Sequence, residues 1–273
     1  MADLVGEEEL QGFKDEKWRL IITRTKSYKE QMGIDEANLL EVASGRSPPI
    51  LRFCYFEKPS VAIGFFQSVE KEVNLEECEK QGIEVFRRMT GGGAVFKDPK
   101  KELNYTFVIR EDDEKIPIDI LESYEKICGA VIEGLKELGI NPEFKPINDI
   151  VLNGKKISGN AQTRKQGTIL QHGTILVDVD IEKMFSVLKI SDEKIRDKMI
   201  ESAKQRVTSI NDELKKMGKK PVKLEDVQRA VTKGFEKVFD VEFKLDRLTK
   251  EEEEKARELY ELKYNTDAWN FWR

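Results

Sequence analysis

The segment Arg87-Arg88-Met89-Thr90-Gly91-Gly92-Gly93-Ala94-Val95-Phe96 places three consecutive glycines between a basic pair and an apolar run. Each glycine weakens regular structure by roughly 0.5–1 kcal/mol relative to alanine, so three in a row need a local reason. Backbone that offers its N–H groups to an anion is one such reason, and a neighbouring guanidinium favours a phosphate or carboxylate. The alternative is a glycine-rich hairpin turn with a surface arginine pair. No Gly-Lys-Ser/Thr follows, so the segment is not a P-loop.

A second cluster of polar residues lies further along the chain. Asn148-Asp149-Ile150-Val151-Leu152 predicts a strand that carries a carboxylate, Asn153-Gly154 a tight turn, and Lys155 and Lys156 open the next strand. Because side chains alternate across a strand, only one of these lysines can face the interior, and periodicity leaves the choice open. A carboxylate and an ammonium on adjacent strands fit magnesium–nucleotide chemistry. A meander with two solvated lysines is the alternative.

Composition excludes several classes of protein. The net charge of −5, without a basic tail, argues against a nucleic-acid-binding surface. The three cysteines are too few and too scattered for a disulfide scaffold or a zinc site. No signal sequence and no apolar run of membrane-spanning length are present, so we expect a cytoplasmic protein without a membrane partner.

Short strands separated by turns, with helices inserted, favour an α+β fold around a mixed, largely antiparallel sheet flanked by helices. The polar, acidic residues 1–17 predict a ragged end, followed by a single domain over 18–273. We expect strands near 18–23, 50–55, 60–64, 85–88, 94–96 and 103–109, and helices near 31–45, 75–81, 119–138, 181–188, 192–204, 224–238 and 251–264. The polar segment Gly159 to Gly167 predicts a mobile loop that orders over bound ligand.

Four motifs occur together in the order and spacing seen in lipoate–protein ligases. They are R-R-M-T-G-G-G-A-V-F, I-N-D-I, G-K-K-I-S-G-N-A-Q and H-G-T-I-L, and Arg206 to Ile210 and Trp269 to Phe271 resemble later landmarks of the family. The resemblance, to the lipoate–protein ligase A family, runs from about residue 18 to the C-terminus. It implies the architecture of biotin and lipoate ligases and of class II aminoacyl-tRNA synthetases.

The resemblance also implies a reaction and a site. The reaction is ATP- and Mg²⁺-dependent activation of lipoate to lipoyl-AMP, followed by transfer to a lysine of lipoyl domains of 2-oxoacid dehydrogenase acyltransferases and of the glycine cleavage H protein. Lys156 would be the catalytic residue that contacts the carboxyl oxygen and the α-phosphate, and Asp149 the magnesium ligand. The ATP and lipoyl-AMP site would comprise Arg88, Gly91, Gly92, Gly93, Ala94, Val95, Phe96, Asn148, Asp149 and Lys156.

The sequence departs from the family pattern at two places. Lys97 stands where family members usually carry a histidine. Many members continue beyond the residue equivalent to Arg273 into a small accessory domain, so we expect a separately encoded accessory protein. Trp269, Phe271 and Trp272 are expected to dock, either on this domain or, as the resemblance favours, on another chain.

Three other functions compete with the ligase. An octanoyltransferase of the same fold needs a reactive cysteine, but Cys54, Cys78 and Cys128 all lie outside the segment just before Asn148, where the cysteine-dependent branch carries its nucleophile. A lipoyl-AMP-binding module without turnover is the non-enzymatic alternative. A biotin ligase would show a Gly-Arg-Gly-Arg loop, which is missing. His172, the one histidine, is interpreted as structural.

Overall fold

An eight-stranded sheet and a three-stranded sheet organise the part of the chain that the computed structural model describes, residues 17–189 and 193–273. The strands are β1 (Trp18–Thr25), β2 (Ile50–Phe56), β3 (Ser60–Ile63), β4 (Glu84–Arg87), β5 (Val95–Lys97), β6 (Glu102–Arg110), β7 (Glu143–Lys145), β8 (Asp149–Leu152), β9 (Lys155–Lys165), β10 (Thr168–Leu176) and β11 (Phe243–Asp246). Apart from Lys17, the expected ragged end lies outside the described residues.

The helices occupy both faces of the large sheet and the end of the chain. They are α1 (Tyr28–Ala43), α2 (Val69–Glu72), α3 (Leu75–Lys80), α4 (Ile120–Lys136), α5 (Ile181–Ser186), α6 (Glu193–Arg206), α7 (Ile210–Lys216), α8 (Leu224–Phe239), α9 (Lys250–Leu259) and α10 (Asp267–Asn270), with a π-helical turn at Tyr260–Tyr264.

The large sheet is mixed and mostly antiparallel. Its strand order is β11-β1-β2-β6-β10-β9-β8-β7, in which only the pairs that include β1 are parallel. The small sheet has the order β4-β3-β5. The predicted α+β fold is therefore confirmed.

The two faces of the large sheet differ in polarity. One face packs apolar side chains such as Tyr105 and Phe107 against α4 and α8, and this layer forms the main core. The other face, beneath α1, combines apolar side chains such as Leu39 and Ile50 with buried polar ones, namely Gln31 and Asp35 of α1 and Arg52 of β2. Buried polar groups are costly unless they are paired, so this layer is held by hydrogen bonds.

Helices α4 and α8 cross at glycines. A Cβ at Gly134 would lie 2.6 Å from the Cα of Val231 and would overlap the carbonyl of Ala230, and Gly234 meets the backbone of α4 in the same way. The absence of side chains at these two positions lets the helices approach closely over the apolar face of the sheet.

The helix and strand predictions agree with the structure in most places, but the prediction of a mobile loop is wrong. No loop spans 159 to 167: β9 continues to Lys165, and only Gln166 and Gly167 form a turn. The segment is polar, but it pairs residue by residue with β10, from Gly159 opposite Thr174 to Lys165 opposite Thr168. Strand pairing therefore overrides the composition that suggested a loop.

The C-terminal residues dock on this domain. The Trp269 indole donates to the carbonyl of Arg87 at 2.9 Å, and the buried Asn270 accepts from the Arg87 N–H at 2.9 Å. Phe271 and Trp272 stay 42% and 46% exposed. The expectation that these aromatics dock on another chain is wrong for Trp269, because its polar atom already has a partner on β4.

No helix within the described residues is both long and apolar enough to cross a membrane. The cytoplasmic location stays a prediction.

Candidate active site

The glycine loop, defined here as Gly91–Ala94, joins the two outer strands of the small sheet, and its carbonyls accept hydrogen bonds from Arg88. The Arg88 guanidinium donates to the carbonyl of Gly91 at 2.8 Å and to that of Gly93 at 2.9 Å. Gly92 has a φ of +102°, a backbone conformation that side chains disfavour. A Cβ at Gly64, at the end of β3, would overlap the Gly92 carbonyl.

These contacts orient the peptide groups of the loop. In a trans peptide the carbonyl of one residue and the N–H of the next point in opposite directions. Because Arg88 binds the carbonyls of Gly91 and Gly93, the N–H groups of Gly92 and Ala94 point away from it. Within the described residues, these two N–H groups donate to no acceptor. Such unpaired N–H groups form a concavity that suits an anion.

Arg88 itself is a buried cation. It is 7% exposed, and no carboxylate among residues 17–189 and 193–273 pairs with it. Burial lowers the pKa of Arg88 to about 10. A buried positive charge without a counter-ion creates a site in which a bound anion would be strongly attracted.

Arg87, the other half of the basic pair, has a structural role. Its guanidinium lies among backbone carbonyls, including those of Phe65 at 2.8 Å and Gln67 at 2.7 Å, and those of Trp269 and Asn270 at 3.2 Å. Arg87 therefore ties β4 to the end of the chain, and only Arg88 faces the glycine loop.

Asp149 and Lys156 meet across the β8–β9 hairpin. The Lys156 ammonium lies 2.6 Å from Asp149 Oδ1, and the two side chains are 41% and 30% exposed, so a ligand can reach both. A Cβ at Gly159 would lie 2.9 Å from Lys156 Nζ, which means that glycine leaves room for the lysine. Lys155 points elsewhere and donates to the carbonyl of Lys204.

Both halves of the site lie on the same face of the large sheet. Asp149, Gly159, Thr174 and Asn104 are directly opposite one another on β8, β9, β10 and β6, so they share one face. Lys97, which follows the glycine loop on β5, hydrogen-bonds Asn104 and Thr174 on that face. Two strand spacings, about 10 Å, separate Thr174 from Asp149. The loop segment and the Asp149–Lys156 pair thus lie on the same side of the large sheet, and the space between them is here called the cleft.

Lys97 has no donor left for a ligand. Its buried ammonium contacts Asn104 Oδ1 at 2.6 Å, the Thr174 hydroxyl, and Glu102 Oε1 at 3.4 Å. Burial lowers the pKa of Lys97 despite the nearby carboxylate of Glu102. With three acceptors for three protons, this lysine fixes β5 to the large sheet.

Asn148 is held by the backbone of β9. Its side-chain amide donates to the carbonyl of Asn160 at 2.5 Å, and the Asn160 side chain donates back to the Asn148 carbonyl at 2.9 Å. This reciprocal pair sets the turn from which Asp149 enters β8. A contact between Asn148 and a nucleotide stays a prediction.

The donor set at Asp149 fits magnesium bound together with a nucleotide. No three His, Cys, Asp or Glu side chains converge on a metal position in the described ranges. Magnesium needs no such cage, because it commonly binds one or two carboxylates, substrate phosphates and water. Asp149 Oδ2, which has no partner among the described residues, is the available oxygen.

His172 and Thr90 make contacts next to Arg88 that the sequence did not predict. His172 on β10 lies between Asp35, 3.2 Å from Nδ1, and the buried hydroxyl of Thr90, 2.8 Å from Nε2. Thr90 in turn accepts from Arg88 Nε at 3.1 Å. The H-G-T-I-L motif was the available signal, but its partner Asp35 lies on α1 without any local pattern.

The three thiols are buried in the structure. Cys54, Cys78 and Cys128 have at most 2% exposure, and burial raises the pKa of Cys54 and of Cys78 to about 11 and that of Cys128 to about 12. Because the thiolate is the nucleophile, none of these cysteines is set up for attack near neutral pH.

With this geometry in place, the comparisons decide the family. The family model for the lipoyl protein ligase A/B catalytic domain matches residues 27–236. The chain belongs to the lipoyl protein ligase A/B catalytic domain family.

Relatives in this ligase A/B family carry two kinds of name. An octanoyltransferase LipM from Brevibacillus brevis is 35% identical over 94% of this chain and 100% of its own length. A chain of the archaeal bi-partite lipoate protein ligase from Thermoplasma acidophilum is also 35% identical, with a TM-score of 0.85 over 93% of this chain and 96% of its own. A lipoate-protein ligase A with bound ATP is 32% identical, with a TM-score of 0.80 over 94% and 99%.

The comparisons therefore show lipoyl or octanoyl transfer at the level of the family, and protein modification as its process. They do not confirm ATP-dependent ligation, because the curated relatives are named octanoyltransferases.

Proposed function

We propose that this chain is an ATP-dependent lipoate–protein ligase, which activates lipoate as lipoyl-AMP and transfers the lipoyl group to a protein lysine. The observation that carries the proposal is that the glycine loop and the Asp149–Lys156 pair lie on one side of the large sheet, combined with three thiols that are buried. The cleft offers anion-binding groups, while the chain offers no available thiolate.

Adenylation of a carboxylate brings two anions together, so catalysis depends mainly on charge neutralisation and positioning. In this proposal, Lys156 would bind both the attacking carboxylate and the α-phosphate. The N–H groups of the glycine loop and the charge of Arg88 would hold the phosphates that leave. In the same proposal, the backbone at Val95 and Phe96 and the side chain of Asn148 border the nucleotide, while the Phe96 ring packs in the core of the small sheet.

Magnesium in this proposal is held by Asp149 together with the phosphates of ATP. The ion would supply positive charge to the triphosphate. Lys156 occupies Asp149 Oδ1 at 2.6 Å, so the ammonium and the metal would share one carboxylate through its two oxygens.

The proposed partners are acceptor proteins that carry the target lysine, such as lipoyl domains and the glycine cleavage H protein, and a small accessory protein. The Thermoplasma acidophilum chain, which belongs to a bi-partite ligase studied with its E2 lipoyl domain, supports both. The proposed partners include neither nucleic acid nor a membrane.

Octanoyl transfer is the second candidate, and the relatives named octanoyltransferase LipM favour it. That reaction passes the acyl group from a carrier thioester without ATP. A thioester on this enzyme would have to form on Cys54, Cys78 or Cys128, and each would first have to become accessible.

Mass spectrometry of an acceptor lipoyl domain tests the two candidates in one experiment. The proposal predicts a lipoyl mass increase that requires this chain, ATP, magnesium and lipoate together and that is complete only when the accessory protein is added. An octanoyl increase from octanoyl-acyl-carrier protein without ATP supports the transferase instead. A variant in which all three cysteines are alanine should keep the ATP-dependent reaction and would abolish a thiol-dependent one.

A further inference from the structure

A network of hydrogen-bonded, largely buried polar side chains, here called the polar network, extends from the core beneath α1 to the glycine loop. Arg52 on β2 pairs with Asp35 Oδ1, and His172 Nδ1 lies 3.2 Å from Asp35 Oδ2. On its other side, His172 Nε2 lies 2.8 Å from the Thr90 hydroxyl, which accepts from Arg88 Nε at 3.1 Å. The polar network therefore ends at Arg88, which donates to two carbonyls of the loop.

The direction of each hydrogen bond follows from the charge at its buried end. Burial would raise the pKa of Asp35, but the charge of Arg52 and the hydrogen bonds from His172 and Thr106 outweigh it and lower that pKa. Asp35 is then a carboxylate and only accepts, so His172 Nδ1 donates to it. A neutral imidazole with its proton on Nδ1 accepts at Nε2, and Thr90 donates there.

Thr90 thereby keeps a lone pair for Arg88. Its single proton is used toward His172, so its oxygen faces the Arg88 Nε–H and helps to fix the plane of the guanidinium. The plane matters because the Nη2 group of the same guanidinium binds the carbonyls of Gly91 and Gly93.

We propose that His172 is a positioning residue for the anion-binding glycine loop and acts through Thr90 and Arg88. The identity of the anion, a phosphate of the nucleotide, rests on the proposed function. The positioning itself concerns only this chain's own residues. If the acceptor at His172 Nε2 or the Thr90 hydroxyl is lost, Arg88 loses one of its orienting acceptors and the loop N–H groups lose their common direction.

Protonation of His172 would reverse the hydrogen bond to Thr90, because Nε2 would become a donor. The charged groups that face the imidazole are Asp35 on α1 and the cations Arg88 and Lys97. Burial lowers the pKa of His172, and the two cations act in the same direction, against the carboxylate of Asp35. Glu102 on β6 faces Lys97.

Cys54 and Tyr28, which lie near the Arg52–Asp35 end of the polar network, stay neutral near pH 7. Burial raises the pKa of Cys54 to about 11 and holds that of Tyr28 well above its usual value. Burial also raises the pKa of Glu102, so this carboxyl is a second group near His172 that acid could protonate. The second measurement below distinguishes protonation of Glu102 from protonation of His172.

The first measurement follows the amide resonances of Gly91 to Ala94 by NMR in the full chain without ligand. Thr90→Val removes the hydroxyl with little change in shape, and Thr90→Ser keeps it. The proposal predicts shifted loop amides in Thr90→Val and native positions in Thr90→Ser. The control is Thr168→Val, because Thr168 is a buried threonine on β10 that is not part of the polar network. This variant should leave the loop unchanged. Native loop amides in Thr90→Val would overturn the proposal.

The second measurement uses His172 variants and pH. His172→Gln keeps an acceptor at the Nε2 position but has no basic nitrogen. A shift of the loop amides on acidification, which the lowered pKa of His172 places below the ordinary histidine value of about 6.5, should therefore be present in the native chain and absent in the variant. An equal shift in both would assign the titration to Glu102 and overturn the role of His172. His172→Asn, which keeps only the donor toward Asp35, should shift the loop amides at pH 7.5 as Thr90→Val does.

The third measurement titrates each chain with inorganic pyrophosphate. The proposal predicts binding about tenfold weaker in Thr90→Val than in Thr90→Ser, the loss of one oriented hydrogen bond to a charged group. If the loop amides respond as expected but the native chain binds neither pyrophosphate nor ATP, the nucleotide-binding function fails and the positioning role stands. If pyrophosphate binds equally to both variants, the positioning role fails and the nucleotide-binding function stands.

Discussion

Lys156 Nζ lies 2.6 Å from Asp149 Oδ1 across a hairpin whose turn residues, Asn153 and Gly154, have φ values of 51° and 75°. Two residues with positive φ define the tight turn that matches strand twist. The turn places the lysine and the carboxylate on one face of the sheet, and a pairing irregularity between Ile150 and Val151 adjusts the register there. The local sequence thus builds the ion pair on which the proposed chemistry depends.

Replacement of Lys156 by alanine should reduce adenylation by about a hundredfold or more, since one preorganised charge-stabilising donor is worth about 3–4 kcal/mol. Lys155→Ala is the matched control and should have a small effect, because that ammonium donates to the Lys204 carbonyl outside the cleft. Lipoate-dependent release of pyrophosphate measures both. Equal losses in the two variants would refute the assignment of Lys156 to the cleft.

Alanine at Gly134 should destabilise the fold by about 1–3 kcal/mol, because the added methyl group overlaps the backbone of α8 and the crossing has to open. Gly129 lies on the same helix with nothing within 4 Å of its Cβ position, so Gly129→Ala should stabilise by about 0.5–1 kcal/mol. Urea unfolding of both variants gives the comparison. A stable Gly134→Ala protein would show that the crossing tolerates a wider separation.

Alanine at Asn270 should detach the end of the chain. The Asn270 side chain accepts from the Arg87 N–H at 2.9 Å and donates to the carbonyls of Tyr264 and Thr266. Its loss removes this partner from the buried Arg87 N–H and from the Tyr264 carbonyl, at a cost of about 1–3 kcal/mol each. Limited proteolysis should cleave this variant near its C-terminus. Leu262→Ala, at a 74% exposed position, should behave like the native chain, and equal cleavage of both would argue against a docked terminus.

Acid should weaken the native fold through His172. Its pKa is lowered in the folded state, so below the ordinary value of about 6.5 the unfolded chain binds a proton that the native imidazole resists. The free energy of unfolding therefore falls as the pH drops below about 6.5, by at most about 1.4 kcal/mol per pH unit. Urea unfolding at pH 7.5 and 5.5 should show this loss in the native chain and a smaller one in His172→Gln. Equal losses would assign the effect to other groups.

The sequence predicted the elements whose signals are local. Apolar periodicity gave α4 and α8, and the turn at Asn153-Gly154 gave the β8–β9 hairpin. The glycine loop and the Asp149–Lys156 hairpin were recognisable because each forms a short, continuous motif. The contacts inside each motif follow from residues close together in the chain.

The remainder depended on tertiary contacts that no local pattern records. The polar face of α1 has buried Gln31 and Asp35 without clear apolar spacing, and their partner Arg52 lies on strand β2. The strand character of 159–165 comes from pairing with β10 and not from its own composition. Likewise, Lys97 is saturated by acceptors on β6 and β10, which only the fold brings together.

The most direct test of the proposed ligase is lipoate-dependent exchange of labelled pyrophosphate into ATP, measured with the purified chain and with an added accessory protein. The account predicts exchange that requires lipoate and magnesium and that Lys156→Ala reduces by about a hundredfold or more. No exchange in either condition, together with ATP-free octanoyl transfer from acyl-carrier protein that a cysteine replacement abolishes, would contradict it.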